Sequence, residues 1–234
     1  ILTTDKDEYH ARVVVAADGA NSTIRRKLKM FNTVGVARLL RIMTPVEPSD
    51  SVEWQENTAI FDFTCIKHDI QGYMWDFPCY VDGQAHMNRG IFDSRILPQP
   101  AKQKPSGNLK QAFISGLEDR HMALDDSLLK GHPVRWFNPK ADFAIPHVLL
   151  TGDAAGVDPL FAEGISYAME YGEVAAYTIK DAFQRGDFAF TGYRERILKH
   201  RLGRLLMRRT LVARYLYGQQ YGSFWGLVWR LASA

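Results

Sequence analysis

One stretch of this sequence, residues 147–176, constrains the fold more than any other. It reads HVLLTGDAAGVDPLFAEGISYAMEYGEVAA. Residues 148–151 form a short apolar run of the kind a buried strand needs, and Gly152-Asp153 end it. Ala154, Ala155 and Gly156 keep the turn small, Pro159 punctuates the loop, and a helix opens near Gly164. The apolar or small positions Ile165, Ala168, Met169, Gly172, Ala175, Ala176 and Ile179 recur at helical spacing and predict its buried face. Glu163 sits just before the helix, where its dipole favours a negative charge. Strand, tight turn and helix start together make a place to hold a charged group, because the first N–H groups of a helix have no partner within it.

A second corner of the same layout lies near the start of the chain. Residues 13–17 (VVVAA) are wholly apolar, as in a parallel strand covered on both faces. Asp18-Gly19 follows, then Asn21-Ser22 before TIRRKLKM, with Ser22 the favoured N-cap and Ile24 and Leu28 on one helix face. The glycine allows close backbone approach, and the helix start offers free N–H groups to an anion. Taken alone, the segment fits an ordinary capped corner equally well. Residues 1–9 read as a strand end and polar turn inside a domain already under way, so a further amino-terminal segment is expected upstream.

Between the two corners the pattern changes. Residues 34–43, 57–66, 72–81 and 84–92 mix polar and apolar positions, as strands with one wet face do. Asp82-Gly83 between the last two is the strongest short hairpin signal. Alternation within YMWDFP puts Tyr73, Trp75 and Phe77 on one face, an apolar wall that periodicity cannot separate from plain core packing. Residues 97–107 read as a surface loop. Leu109, Phe113 and Leu117 predict a helix over 108–118, 122–129 a second short one, and 134–137 a last strand.

Beyond Tyr193 lies a basic amphipathic helix or helix pair, carrying Arg194, Arg196, Lys199, Arg201, Arg204, Arg208, Arg209 and Arg214 among leucines. An apolar tail with Tyr215, Tyr217, Tyr221, Phe224, Trp225 and Trp229 follows. A solvated basic face over core aromatics accounts for this segment; so does contact with a membrane surface or anionic partner. The net charge of +3 over 234 residues is too small to argue for nucleic acid. Two cysteines, Cys65 and Cys79, give no disulfide framework and no metal spacing, which favours a reducing compartment. His68, His86, His121 and His132 show no ligand or triad spacing, so no metal site is expected and no catalytic residue is named.

These motifs resemble a known family. GDAAGVDPLFAEGI is similar to the second FAD motif of aromatic-hydroxylase-type flavoproteins, and VVVAADGANSTIRRKL to their Asp-Gly motif. The downstream PLxxEGI and the YMWDFP strand resemble the geranylgeranyl reductase branch, as does Asn88-Arg89-Gly90; Cys79 departs from that branch, which has lysine after the proline. The resemblance implies FAD as cofactor, with NADPH or ferredoxin as electron donor. It makes Gly152 a cofactor-binding residue and places Asp153 at the ribityl chain, Pro159 against the flavin ring, Gly164 and Ile165 at its N1 edge, and Asp18 and Gly19 near the pyrophosphate and the nicotinamide donor. Tyr73, Trp75, Phe77 and Pro78 would wall a site for an apolar isoprenoid or lipid substrate. The glycine-rich GxGxxG fingerprint for the ADP half of FAD is absent from this sequence. Without it the chain alone is expected to bind FAD poorly and to be inactive.

The expected architecture is α/β with an α+β insertion: the carboxy-terminal part of a Rossmann-like FAD-binding domain, an inserted antiparallel-sheet substrate domain and a C-terminal helical region. The expected divisions are 1–33 and 141–186 for the FAD-binding part, 34–140 for the insertion and 187–234 for the helical region. The expected function is flavin-dependent reduction of isoprenoid double bonds, in a cytoplasmic protein with peripheral membrane contact. A flavin monooxygenase or halogenase, and a truncated non-catalytic lipid-binding or interaction module, are the alternatives.

Overall fold

A computed structural model describes residues 1–30, 35–97 and 108–218. The chain opens with β1 (Leu2–Thr3), β2 (Glu8–Tyr9), β3 (Val14–Ala16) and α1 (Thr23–Lys27). Next come β4 (Val36–Pro45), α2 (Val52–Gln55), β5 (Ile60–Asp62), β6 (Gly72–Val81), β7 (Gln84–Asp93), α3 (Leu109–Glu118) and β8 (Lys130–Arg135). The remainder is β9 (Ala144–Ile145), β10 (Val148–Leu150), α4 (Gly152–Ala155), α5 (Ile165–Arg185), α6 (Tyr193–Lys199) and α7 (Arg201–Gly218). Two compact units result. One joins Ile1–Gly35 to Val134–Leu211; the other is built on Val36–Pro133, with residues 212–218 grouped to it.

In the first unit β10 is the central strand of three, parallel to β3 and antiparallel to β9. The register pairs Val148 with Val14 and Leu150 with Ala16. The turns leaving β3 and β10 therefore start at the same, carboxyl end of the sheet, where open α/β sheets place ligands. β10 is fully buried, as its apolar run predicts. β3 is not: Val15 is 43% exposed, so among the described residues one face of this strand has no cover.

The face that α5 buries also differs from the predicted one. Tyr167, Tyr171, Val174, Ala175, Thr178 and Ala182 are buried, whereas Ile165, Ala168, Met169, Gly172 and Ala176 are exposed. The buried side is led by the large rings of Tyr167 and Tyr171, and of the two only the Tyr171 hydroxyl finds an acceptor. The Tyr171 hydroxyl donates to the Gly156 carbonyl at 2.9 Å, and the Tyr193 hydroxyl, from α6, donates to the Leu150 carbonyl at 3.1 Å. Of the predicted face Ala175 is buried and Ile179 half-buried, so aliphatic spacing alone finds the buried side only toward the middle of the helix.

The second unit is a five-stranded sheet in the order β5-β6-β7-β4-β8. The β6–β7 hairpin turns at Asp82-Gly83, both with positive φ, as its sequence predicts. The strand expected over 57–66 shortens to β5, followed by a 3-10 turn at Thr64–His68. The Asp62 carboxylate accepts the Thr64 N–H at 2.8 Å and turns the chain out of the ladder. The helix expected over 122–129 is a set of turns. There Asp125 accepts the Ser127 N–H at 2.9 Å, again a side chain competing with helical bonding. The last strand is β8 rather than 134–137. Residues 98–107 and the tail from 219, including Tyr221, Phe224, Trp225 and Trp229, lie outside the described residues.

The two faces of this sheet are unlike. On one, Ile42, Met74 and Ile91 pack against Leu109, Ala112, Phe113 and Leu117 of α3, forming the core of the unit. Gly116 permits the approach: a Cβ there would sit 2.1 Å from the Met74 sulfur. Asp76, 2% exposed, is held by Arg89 at 2.9 Å and by Arg120 at 2.8 Å, and Arg120 also reaches Asp62 at 3.1 Å. The opposite face carries Tyr73, Trp75, Phe77 and Phe92.

Candidate functional site

Asp18 leaves β3 and bends back over α1. Its Oδ2 accepts the N–H of Thr23 at 2.7 Å and of Ile24 at 3.1 Å, while the Ser22 hydroxyl oxygen takes the Arg25 N–H at 3.0 Å. Burial pushes the Asp18 carboxyl up, but hydrogen bonds from the Ser22 side chain and from backbone N–H groups outweigh it and hold the group below the usual carboxylate range. The predicted cap is correct. The predicted free N–H groups are not: the protein's own side chains occupy this helix start. Gly19, at φ +80°, is required by its backbone conformation rather than by crowding.

Sequence reasoning passed over Arg25, which joins the two turns. It is 8% exposed and donates to the Ala154 carbonyl and to the Ala20 carbonyl, each at 2.9 Å. The guanidinium thus ties the Asp-Gly corner to α4. Only the pairing of the parallel strands brings residues 25 and 154 together, so no local pattern reveals the contact.

Gly152 turns the chain at φ +54°, where a Cβ would lie 3.3 Å from that of Ala168. Asp153 follows, half-buried, its carboxylate without a hydrogen bond or ion pair among the described residues. Burial alone raises its carboxyl above the usual range. Gly164 lies directly opposite: a Cβ there would be 3.0 Å from Asp153 Oδ1. Gly164 is also the N-cap of α5, and no side chain caps the helix. An unpartnered carboxylate and an uncapped helix start thus share one place. Ile165 opens the helix with its side chain 83% exposed, so what it offers such a place is its backbone N–H.

Pro159 stands in a loop shaped by its neighbour. Asp158 is fully buried; Oδ1 accepts the Leu160 N–H at 2.8 Å and Oδ2 the Phe161 N–H at 3.2 Å. Arg209 of α7 approaches Oδ2 at 3.6 Å. An Asp before Pro is a turn-forming pair, so the turn role of Asp158 was available in the sequence. Its ion pair was not.

The aromatic residues meet as predicted. Ring centroids of Tyr73 and Trp75 are 6.0 Å apart, and those of Trp75 and Phe77 6.2 Å apart. Phe61 from β5 adds a ring 5.2 Å from Tyr73 and 5.1 Å from Phe77. Tyr73 and Trp75 are buried, Phe77 is half-buried and Phe61 is 48% exposed, so the accessible part of the wall is its Phe61–Phe77 end. Asn88-Arg89-Gly90 now has a physical reading. Asn88 accepts the Trp75 indole N–H at 3.2 Å, and Gly90 leaves room for the ring, which a Cβ would meet at 2.2 Å. Arg89, pointing to the other face, pairs with Asp76. Pro78 lies past the last β5 pair, Ile60 with Asp76, where its missing N–H costs no ladder bond. Among the described residues no group of His, Cys, Asp and Glu could hold a metal ion.

No family model matches the chain. A digeranylgeranylglycerophospholipid reductase of Methanocella arvoryzae is 29% identical over 190 residues, covering 77% of this chain and 44% of that protein. A Dictyostelium discoideum protein, conditioned medium factor receptor 1, is 28% identical over 201 residues, covering 80% of this chain and 35% of its own. Among solved structures, a geranylgeranyl bacteriochlorophyll reductase-like protein from Thermoplasma acidophilum superposes with a TM-score of 0.65 at 24% identity, covering 88% of this chain and 51% of that one. More distant folds include a Klebsiella pneumoniae HpxO variant complexed with FAD, at a TM-score of 0.56. The chain thus spans about half, or less, of the length of the relatives it matches. It has the mixed α/β fold of Rossmann-like flavoproteins, and its sequence is similar to geranylgeranyl reductases, as its motifs implied.

Proposed function

We propose that this chain forms part of an FAD-dependent oxidoreductase that reduces isoprenoid double bonds of a lipid or pigment precursor. One observation carries the reading: the half-buried, partnerless Asp153 facing Gly164 at the uncapped start of α5, at the carboxyl end of two parallel strands. These residues fit a flavin. The Asp153 carboxylate suits ribityl hydroxyls, the backbone N–H groups from Ile165 onwards suit the negative N1 edge of a reduced ring, and Pro159 offers a rigid apolar contact. Gly152 keeps the approach open. When bound, such a flavin supplies a hydride to one alkene carbon while a proton reaches the other. Asp18 and Gly19 shape the pyrophosphate side through backbone conformation, since the Asp18 carboxylate is committed to α1.

For the substrate we propose the aromatic wall of Tyr73, Trp75, Phe77 and Pro78, with Phe61 added. Flat rings offer apolar surface to an isoprenoid chain, and Asn88 takes the Trp75 indole N–H. The electron donor in this reading is NADPH or ferredoxin, and the ADP half of FAD is held by residues outside this sequence, which the greater length of the relatives supports. The outward side of α7 supports peripheral contact with an anionic lipid surface. Arg204, Arg208, Leu211 and Tyr215 follow helical spacing there, and Leu211 is 68% and Tyr215 62% exposed. No described helix is long and apolar enough to cross a membrane.

The test is anaerobic incubation of the full-length protein with FAD, a chemical reductant and a geranylgeranyl lipid, followed by mass spectrometry. Products heavier by one hydrogen pair per reduced bond support the proposal. Hydroxylated product or peroxide formed only when oxygen is admitted would instead favour a monooxygenase. A protein that takes up no FAD would leave the non-catalytic module.

A further inference from the structure

The geometry points to Asp158 and Arg209 as a positioning pair that holds the loop around Pro159, and so the flavin lying against it. This rests on the flavin reading above. Each part of the pair is committed. Asp158 is 0% exposed and divides its two oxygens between the Leu160 N–H at 2.8 Å and the Phe161 N–H at 3.2 Å, closing the turn that presents Pro159. Arg209 comes from α7, some fifty residues further along the chain, and is the cation that faces this buried carboxylate, at 3.6 Å. Its guanidinium also lies over the Phe161 ring, 5.3 Å from the centroid. One arginine therefore grips the loop twice, by charge at Asp158 and by its planar face at Phe161.

Burial raises the Asp158 carboxyl, and the two loop N–H groups and Arg209 oppose that rise. Removing Arg209 leaves a buried charge without its cation, which a protein resolves by protonating the group or by moving the loop. A protonated or displaced Asp158 no longer accepts both N–H groups. The same charges act on Tyr167, in the first turn of α5, whose hydroxyl is sealed without a hydrogen-bond partner. The pair thus links α7 to both the Pro159 loop and the helix start beside Asp153. Neither residue reaches the flavin itself; both act through the loop.

The experiment uses the full-length protein with bound FAD and the variants Asp158→Asn, Arg209→Met, Arg209→Lys and the Asp158→Asn/Arg209→Met double. FAD affinity by fluorescence quenching, visible circular dichroism of the bound flavin and its midpoint potential are read beside thermal unfolding. Asp158→Asn and Arg209→Met are each expected to weaken FAD binding about tenfold, through a loop no longer held in its binding conformation. Both should alter the visible dichroism per bound flavin. The double variant should be no worse than either single, and Arg209→Lys should fall between wild type and Arg209→Met. Variants that lose thermal stability but keep wild-type affinity, dichroism and potential overturn the proposal. If Arg209→Met does not fold, Arg209→Lys decides on the same readouts. A wild-type protein that binds no FAD overturns the flavin reading, and this inference with it.

Discussion

Asp153→Asn separates a residue kept for a ligand from one kept for the fold. Burial alone raises the Asp153 carboxyl, with no hydrogen bond or cation opposing it. A group whose folded pKa lies above its unfolded value contributes stability at low pH, and that contribution is lost as pH rises through the folded value. At neutral pH the ionised Asp153 therefore works against folding, and the neutral amide does not. For a half-buried, unsatisfied carboxylate the lower end of the usual penalty applies, about 1 kcal/mol. For a chain of this size that corresponds to roughly 2–4 °C in Tm. Without FAD, Asp153→Asn should melt higher than wild type at pH 7, and the gap should narrow as pH falls toward the carboxylate range. FAD affinity should fall about tenfold, since an amide replaces the charged acceptor. Calorimetry at several pH values, with and without FAD, measures both. A variant that is less stable at pH 7, or that binds FAD like wild type, refutes the reasoning.

Three further outcomes follow from the second unit and from α7. Gly90→Ala forces a Cβ to 2.2 Å from the Trp75 ring and 2.5 Å from the Leu40 carbonyl, so it should cost about 1–3 kcal/mol in urea unfolding and shift the tryptophan emission. Cys65 is 2% exposed and burial pushes its thiol up, whereas Cys79 is half-buried; a thiol reagent should label Cys79 in the native protein and Cys65 only after denaturation. Arg208→Glu should weaken co-sedimentation with phosphatidylglycerol vesicles at least about fivefold, given roughly 1 kcal/mol per basic residue at an anionic surface, and equal sedimentation of variant and wild type would remove the membrane proposal.

Features set by local chemistry were legible in the sequence. The Asp82-Gly83 hairpin, the Ser22 cap, the β10 strand and the alternation of Tyr73, Trp75 and Phe77 each depend on a few adjacent residues. Two kinds of feature were not. Side chains that compete with the backbone, Asp62 and Asp125, ended a strand and prevented a helix where hydrophobic spacing alone continued them. Contacts between distant segments were invisible: Arg25 on Ala154, Arg209 on Asp158, and the burial of the Tyr171 ring on α5, whose hydroxyl reaches the Gly156 carbonyl. Position 18 shows the same limit. Its acidic-glycine pair marks a corner, but whether the carboxylate faces a ligand or its own helix depends on a rotation that spacing does not encode.

The most direct measurement is equilibrium titration of the full-length protein with FAD, followed by flavin fluorescence and visible absorption, for wild type and Gly164→Ala. The added methyl would stand 3.0 Å from Asp153 Oδ1, on the spot the account assigns to the cofactor. Saturable uptake of FAD by wild type, clearly weakened in a Gly164→Ala protein of unchanged fold, is the predicted result. Wild-type protein that takes up no FAD, or a Gly164→Ala variant that binds it equally well, would contradict the assignment of this site to a flavin.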